Sequence, residues 1–209
     1  MTNPHLQSSA VRNRLSKAYG DIAVIAVHGR NQKPDFILDL MVKIGLSDLP
    51  VLAPAAFEGA WYPQGFMAPL ESNQPQLDQS IEAIDSYLSE LHSLGFSNRE
   101  IILLGFSQGA CLLSHYALRN PDQFKAIIAF TGGFIGPKGL DWGFKGDFKK
   151  TQVYITTSEI DEWVPPERVR ETADKFQDLN ADVQVRIFKE RPHEVSEEEI
   201  DEVKNMLTK

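Results

Sequence analysis

Six short apolar runs, set apart by longer amphipathic stretches, limit how this 209-residue chain can fold more than any other feature. They are "IAVIAV" (Ile22–Val27), "VLA" (Val51–Ala53), "IILL" (Ile101–Leu104), "AIIAF" (Ala126–Phe130), "QVYIT" (Gln152–Thr156) and "VQVRIF" (Val183–Phe188). Several are apolar at every position rather than every second one. A strand reads that way when helices cover both its faces, as in a parallel sheet.

The stretches between them read as helices. Pro34–Ile44 opens on a proline suited to a first turn and meets Gly45 at its end. Leu77, Ile81, Ile84, Leu88 and Leu91 keep helical spacing before Gly95. Gln108–Arg119, Glu167–Leu179 and Glu197–Leu207 complete the set. This alternation predicts an α/β domain with a mostly parallel sheet and helices on both faces. One domain is expected over residues 1–209, with about residues 1–18 as a flexible N-terminal extension. The stretch Ala53–Gln76 is long for a connection and rich in Pro, Gly and aromatics, which marks it as functional.

Composition narrows the class. A net charge of −8 argues against nucleic acid or an anionic membrane surface as partner. Cys111 is the one cysteine, so a disulfide-stapled secreted domain is excluded. No apolar run approaches the roughly 20 residues of a membrane span, and the first residues have no signal-peptide core. A soluble cytoplasmic protein is the expectation.

The chemistry is concentrated at "IILLGFSQGA" (Ile101–Ala110). Gly105-Phe106-Ser107-Gln108-Gly109 fits G-x-S-x-G, with a buried strand before it and an apolar helix after it. A turn that tight strains the serine and leaves no room for a Cβ on either side. A serine hydroxyl needs a base, and the base an orienting acid. In parallel sheets such groups gather beyond the carboxyl ends of strands. His193 follows the last apolar run, whereas His5 is expected in a frayed terminus, His92 on a surface helix and His115 along the helix after Ser107. Glu159, Asp161 and Glu162 share the loop after "QVYIT", and Asp161 is favoured because Val164-Pro165 would fix the loop behind it. Oxyanion donors are expected from the N–H of Gln108 and, in "HGRNQ" (His28–Gln32), from that of Arg30. Trp61, Tyr62, Phe66, Met67, Phe134 and Ile135 are expected to wall the pocket, with Trp61 setting acyl-chain preference. Cys111, one turn past Ser107, reads as a small buried helix residue, and "SEEEIDE" (Ser196–Glu202) as a solvated helix start.

Taken together these residues resemble the phospholipase/carboxylesterase family of small α/β-hydrolases, which includes acyl-protein thioesterases and bacterial carboxylesterases. The resemblance rests on His28-Gly29, "APAAFEGAWYP" (Ala53–Pro63), "GFSQGA", "TGGF" (Thr131–Phe134), "DEWVP" with Asp161, and His193-Glu194. "WYP" points to the bacterial carboxylesterase branch. It implies a minimal α/β-hydrolase in which Ser107, Asp161 and His193 form a triad, in the chain order of that fold, with no metal and no organic cofactor. It implies a small-molecule ester as substrate, and often a homodimer. The competing readings are an acyl-protein thioesterase or lysophospholipase, and a non-catalytic binding protein on the same scaffold. The chain departs from the family pattern at Asn31 and Pro192, where glycines are usual, and at "SEID" (Ser158–Asp161) in the acid loop. Asparagine tolerates positive φ, whereas Pro192 fixes φ and removes a donor beside His193.

Overall fold

A computed structural model describes residues 2–208. Among them, seven strands form one sheet in the order β1-β3-β2-β4-β5-β6-β7. The strands are β1 (Ala10–Asn13), β2 (Ala23–Val27), β3 (Val51–Pro54), β4 (Ile101–Phe106), β5 (Ala126–Phe130), β6 (Gln152–Ser158) and β7 (Asp182–Phe188). The α-helices are α1 (Pro4–Gln7), α2 (Pro34–Ile44), α3 (Gln76–Ser93), α4 (Gln108–Arg119), α5 (Pro166–Asp178) and α6 (Glu197–Leu207). All neighbouring strands run parallel except β1, which pairs antiparallel with β3. This is the single α/β domain that the apolar runs predict.

The continuous apolar runs have a simple cause. In β2, Ala23, Ile25 and Val27 face one core layer while Val24 and Ala26 face the other. Strands alternate their side chains, so burying both faces demands an apolar residue at every position. One layer is closed by α3, α4 and α5, through residues such as Leu77, Ile84, Leu112 and Phe176. The other is closed by α2 and α6, through Ile37, Met41, Ile200 and Val203. Each such fully buried side chain contributes roughly 1.5–3 kcal/mol of transfer free energy. Strand β7 lies at the sheet edge and alternates exposed and half-buried residues over its first half.

Strand order also sets where chemistry can occur. From β2 the chain crosses to β3 on one side and later returns to β4 on the other. The segments leaving β2 and β4 therefore diverge and open a crevice beyond their carboxyl ends, the usual ligand site of such sheets.

Residues 2–18 are not the flexible extension expected from their composition. Strand β1 registers Val11 against Ala53 and Arg12 against Leu52, and His5 in α1 is buried. His5 Nδ1 accepts from the Phe57 N–H at 3.1 Å, its Nε2 faces Ser80 Oγ at 3.0 Å, and its ring stacks on Trp61. The run is too polar and too short to announce itself; its partners are supplied by residues about forty to eighty positions away. Removing residues 2–9 should cost roughly 2–4 kcal/mol, given several lost hydrogen bonds of about 0.5–1.5 kcal/mol each. Urea unfolding of the shortened and full chains measures this; equal midpoints would show that the segment contributes nothing.

Candidate active site

Ser107 joins β4 to α4 with φ 54° and ψ −119°, a conformation L-residues rarely adopt. It is held there by its N–H to the Phe130 carbonyl and by its own carbonyl, which accepts from Cys111 N, each at 2.9 Å. The flanking glycines are required by contact. A Cβ on Gly105 would lie 2.7 Å from the Ala110 nitrogen, and one on Gly109 only 2.2 Å from the Val27 carbonyl oxygen. The turn is thus pressed against the end of β2, and Ser107 stands at the crevice.

His193 and Asp161 reach it from the ends of β7 and β6. His193 Nε2 lies 2.8 Å from Ser107 Oγ, and its Nδ1 lies 2.8 Å from Asp161 Oδ2. A carboxylate can only accept there, so the partners assign the proton to Nδ1 and leave Nε2 free to accept from the serine. Asp161 Oδ1 accepts from the N–H groups of Trp163 at 3.0 Å and Val164 at 2.8 Å. Burial pushes the Asp161 carboxyl pKa up, but the bonds from His193, Val164 and Trp163 outweigh it and hold the group below the ordinary carboxylate range. Glu159 and Glu162 are exposed in the same loop, and Asp161 is the one of the three carboxylates that meets His193.

The loop after β2 lies against the serine: a Cβ on Gly29 would be 3.1 Å from Ser107 Cβ. Its N–H groups are sorted. Gly29 N donates to Gln32 Oε1 at 2.8 Å and Asn31 N to the Gly59 carbonyl at 2.7 Å, while Arg30 N has no acceptor among the described residues. Gln108 N opens α4 and likewise has no intrahelical partner. Asn31 holds φ 59°, the left-handed conformation that asparagine tolerates in place of glycine. The Gln108 side chain accepts from Trp61 N at 2.9 Å and donates to the Tyr62 carbonyl at 2.8 Å. Arg30 grips the same segment, its guanidinium donating to the carbonyls of Tyr62, Pro63 and Gln64 at 2.7–2.9 Å.

A cavity of about 440 Å³ opens here, walled by Tyr62, Phe66, Cys111 and Val164, with Arg30 and Gln64 as polar lining and Trp163 at the side. Of the six wall residues expected from sequence, Tyr62 and Phe66 lie on it. Trp61, Phe134 and Ile135 do not: they are fully buried in the core layer. Met67 packs against that layer instead of the cavity. Trp61 has no surface to offer a substrate because its indole N–H bonds the His28 carbonyl at 2.9 Å, locking it beneath the Arg30 loop. Trp163 was missed. It is 68% exposed yet lines the cavity, and its one sequence signal is an aromatic residue two positions past the acid. Cys111 lies on the wall as a buried thiol; burial pushes its pKa up to about 12, so it is no nucleophile near neutrality.

A serine elbow at a switch point, facing a histidine and a carboxylate from later strands, is the architecture of an α/β-hydrolase. The family model for phospholipase/carboxylesterase matches residues 11–209, and the chain belongs to that family. Its structure is similar to that of a phospholipase/carboxylesterase from Dyadobacter fermentans, with 37% identity over 97% of each chain and a TM-score of 0.92. The esterase PE8 shares the fold at 22% identity, covering 96% of this chain and 97% of its own, with a TM-score of 0.77. The Bacillus cereus carboxylesterase does so at 16% identity over 100% and 99%, with a TM-score of 0.75. Among the curated proteins none matches this chain.

Three other histidines are buried and neutral. Burial lowers the pKa of His5 to about 4 and that of His115 to about 3, and it lowers that of His28 as well. His28 Nε2 accepts from Ala56 N, so its Nδ1 donates to the Gly29 carbonyl, fixing the loop after β2. His115 packs edge-on to Trp142 at 4.7 Å, and both its ring nitrogens lack partners. A histidine whose folded pKa lies below its unfolded value costs stability once the unfolded chain protonates. Stability is therefore full above about pH 6.5 and falls as pH drops toward 4, by roughly 3 kcal/mol for His5 alone. His115→Leu removes one such group without burying another polar atom. Urea midpoints at pH 7 and pH 5 should show it at least as stable as wild type at pH 7, with a smaller loss at pH 5. An unchanged loss would remove His115 from the account.

Proposed function

We propose that this chain is a serine carboxylesterase of small to medium esters, working through Ser107, His193 and Asp161. The observation that carries the reading is the continuous link from Ser107 Oγ through His193 to Asp161, with both hydrogen-bonded separations at 2.8 Å. Family membership and the esterase neighbours support the reaction class.

The chemistry follows from the atoms. Ser107 Oγ attacks the ester carbonyl carbon as its proton passes to His193 Nε2. The carbonyl oxygen becomes an oxyanion, received by the unpartnered N–H groups of Arg30 and Gln108; one such donor contributes roughly 3–4 kcal/mol in a measured case. The imidazolium, stabilised by Asp161, then gives its proton to the leaving alkoxide, and an acyl-serine remains. Water gives a proton to the same nitrogen as it attacks the acyl carbon; the bond to Ser107 Oγ then breaks, Oγ takes that proton back from His193, and the acid is released.

The substrate range follows from the wall. At about 440 Å³ the cavity has the size of an ordinary small-molecule site. Buried Tyr62 and Cys111 close its base, and Phe66, Val164 and exposed Trp163 give it an apolar side. Arg30 is the one arginine, lysine or carboxylate side chain that lines it. The Trp61 role in chain-length choice passes to Trp163, whose indole reaches the opening.

The test is hydrolysis of p-nitrophenyl esters from two to sixteen carbons, with Ser107→Ala and Trp163→Ala alongside. Short chains should react fastest. Ser107→Ala should lose at least 10³-fold in kcat, in line with losses on removing a nucleophile. Trp163→Ala should raise KM for the longer members more than for acetate. A maximum at long chains would favour a thioesterase or lysophospholipase. Activity in Ser107→Ala equal to wild type would end the triad reading, and no activity in either would favour a binding protein.

A further inference from the structure

Arg191 lies two residues before His193 and is 6% exposed. Its Nη1 donates to the carbonyl of Pro192 at 2.8 Å and to that of Glu194, so one nitrogen holds the carbonyls on both sides of His193. Its Nη2 donates to Thr131 Oγ1, just past β5, at 2.8 Å. Its Nε faces Glu199 Oε2 at 3.2 Å, forming an ion pair. Its own carbonyl accepts from Ser158 Oγ at the end of β6.

Glu199 is fixed just as firmly. It is fully buried, not solvated as the acidic run suggests. Its Oε2 accepts from Ser196 N and Ser196 Oγ, both at 2.8 Å, in a capping box that starts α6. Its Oε1 accepts from Thr156 Oγ1 at 2.6 Å, and Thr156 Oγ1 in turn receives Thr131 N at 3.1 Å. The guanidinium is therefore tied to β5, β6 and α6 before it touches the histidine segment. That segment has little of its own: within residues 190–195 the one backbone bond is Glu194 N to the Pro192 carbonyl at 2.7 Å. Pro192, where the resembling family has glycine, brings no N–H to add another.

We propose that Arg191, anchored by Glu199, is a positioning residue that sets His193 between Ser107 and Asp161. The inference rests on the triad reading. Stability alone accounts poorly for the arrangement, because a buried ion pair can usually be replaced by apolar residues at little cost. What apolar residues cannot do is orient two carbonyls that flank a histidine. The planar fork of arginine does so with one group, and lysine cannot match it.

The experiment compares wild type, Arg191→Lys, Arg191→Met/Glu199→Met and Ser107→Ala on p-nitrophenyl acetate, with thermal unfolding of each. The double substitution removes both charges together and leaves neither stranded. It should melt within a few degrees of wild type and lose about 100-fold in kcat, the scale of a 1 Å misplacement, with KM within threefold. Arg191→Lys keeps a charge for Glu199 and should still lose at least tenfold in kcat. Labelling of Ser107 by a fluorophosphonate should slow in parallel, since it reads serine activation without substrate binding. The lysine variant decides the matter if the double variant does not fold. Either folded Arg191 variant within threefold of wild type in kcat overturns the proposal, provided Ser107→Ala is inactive. If Ser107→Ala is as active as wild type, the triad reading fails and this proposal falls with it.

Discussion

The contact on which the site depends is between Gly109 and the end of β2. Helix α4 begins so close to that strand that a single Cβ at position 109 would lie 2.2 Å from the Val27 carbonyl oxygen. Interiors are packed too tightly to absorb such an overlap. The approach fixes three things together: the strained backbone of Ser107, the orientation of the Gln108 N–H, and the nearness of the Gly29–Arg30 loop to the serine. Lengthening that contact would separate the nucleophile from the N–H groups proposed to receive its oxyanion. The strain at Ser107, on the order of 1–3 kcal/mol, persists because the surrounding strands leave no alternative path.

Around this contact the interior is unexpectedly polar, and it is organised in two halves. On the side of β2, the peptide of Trp61 is bound at every point: its N–H by Gln108, its carbonyl by Ser80, and its indole to the His28 carbonyl. His5 closes the chain behind Ser80. On the side of β6 and β7, Thr131, Thr156, Arg191 and Glu199 form the second network. Buried polar groups are costly unless bonded, so a satisfied network admits few arrangements. Two guanidiniums, Arg30 and Arg191, do similar jobs by gathering carbonyl oxygens from irregular loops. Loops without ladders of their own need donors from elsewhere.

The acid loop joins two tasks in four residues. Asp161 turns inward, where the Trp163 and Val164 amides hold one carboxylate oxygen and His193 meets the other. The Trp163 side chain turns outward at the cavity. On the proposed reading, proton transfer and substrate fit share one short stretch of backbone.

The sequence by itself determined strands β2 to β7, helices α2 to α6 and the local chemistry of the elbow. Short continuous apolar runs between helix-like stretches read as strands covered on both faces, and Gly105 and Gly109 around Ser107 announce a turn with no room for side chains. Those are properties of neighbouring residues. It also put Asn31 where a left-handed backbone was needed, and His193 and Asp161 at strand ends. Only the tertiary structure decided which aromatic residues meet solvent. Trp61 and Trp163 look alike as isolated aromatics, but one is enclosed by α1 and the His28 loop and the other is largely exposed. The polar N-terminus looked detachable because its partners, Phe57 and Ser80, lie far along the chain. Glu199 looked solvated because its cation, Arg191, sits in a loop that only folding brings beneath the first turn of α6. Burial and pairing belong to what surrounds a residue in space, and a linear pattern carries that information only where the surroundings are its own neighbours.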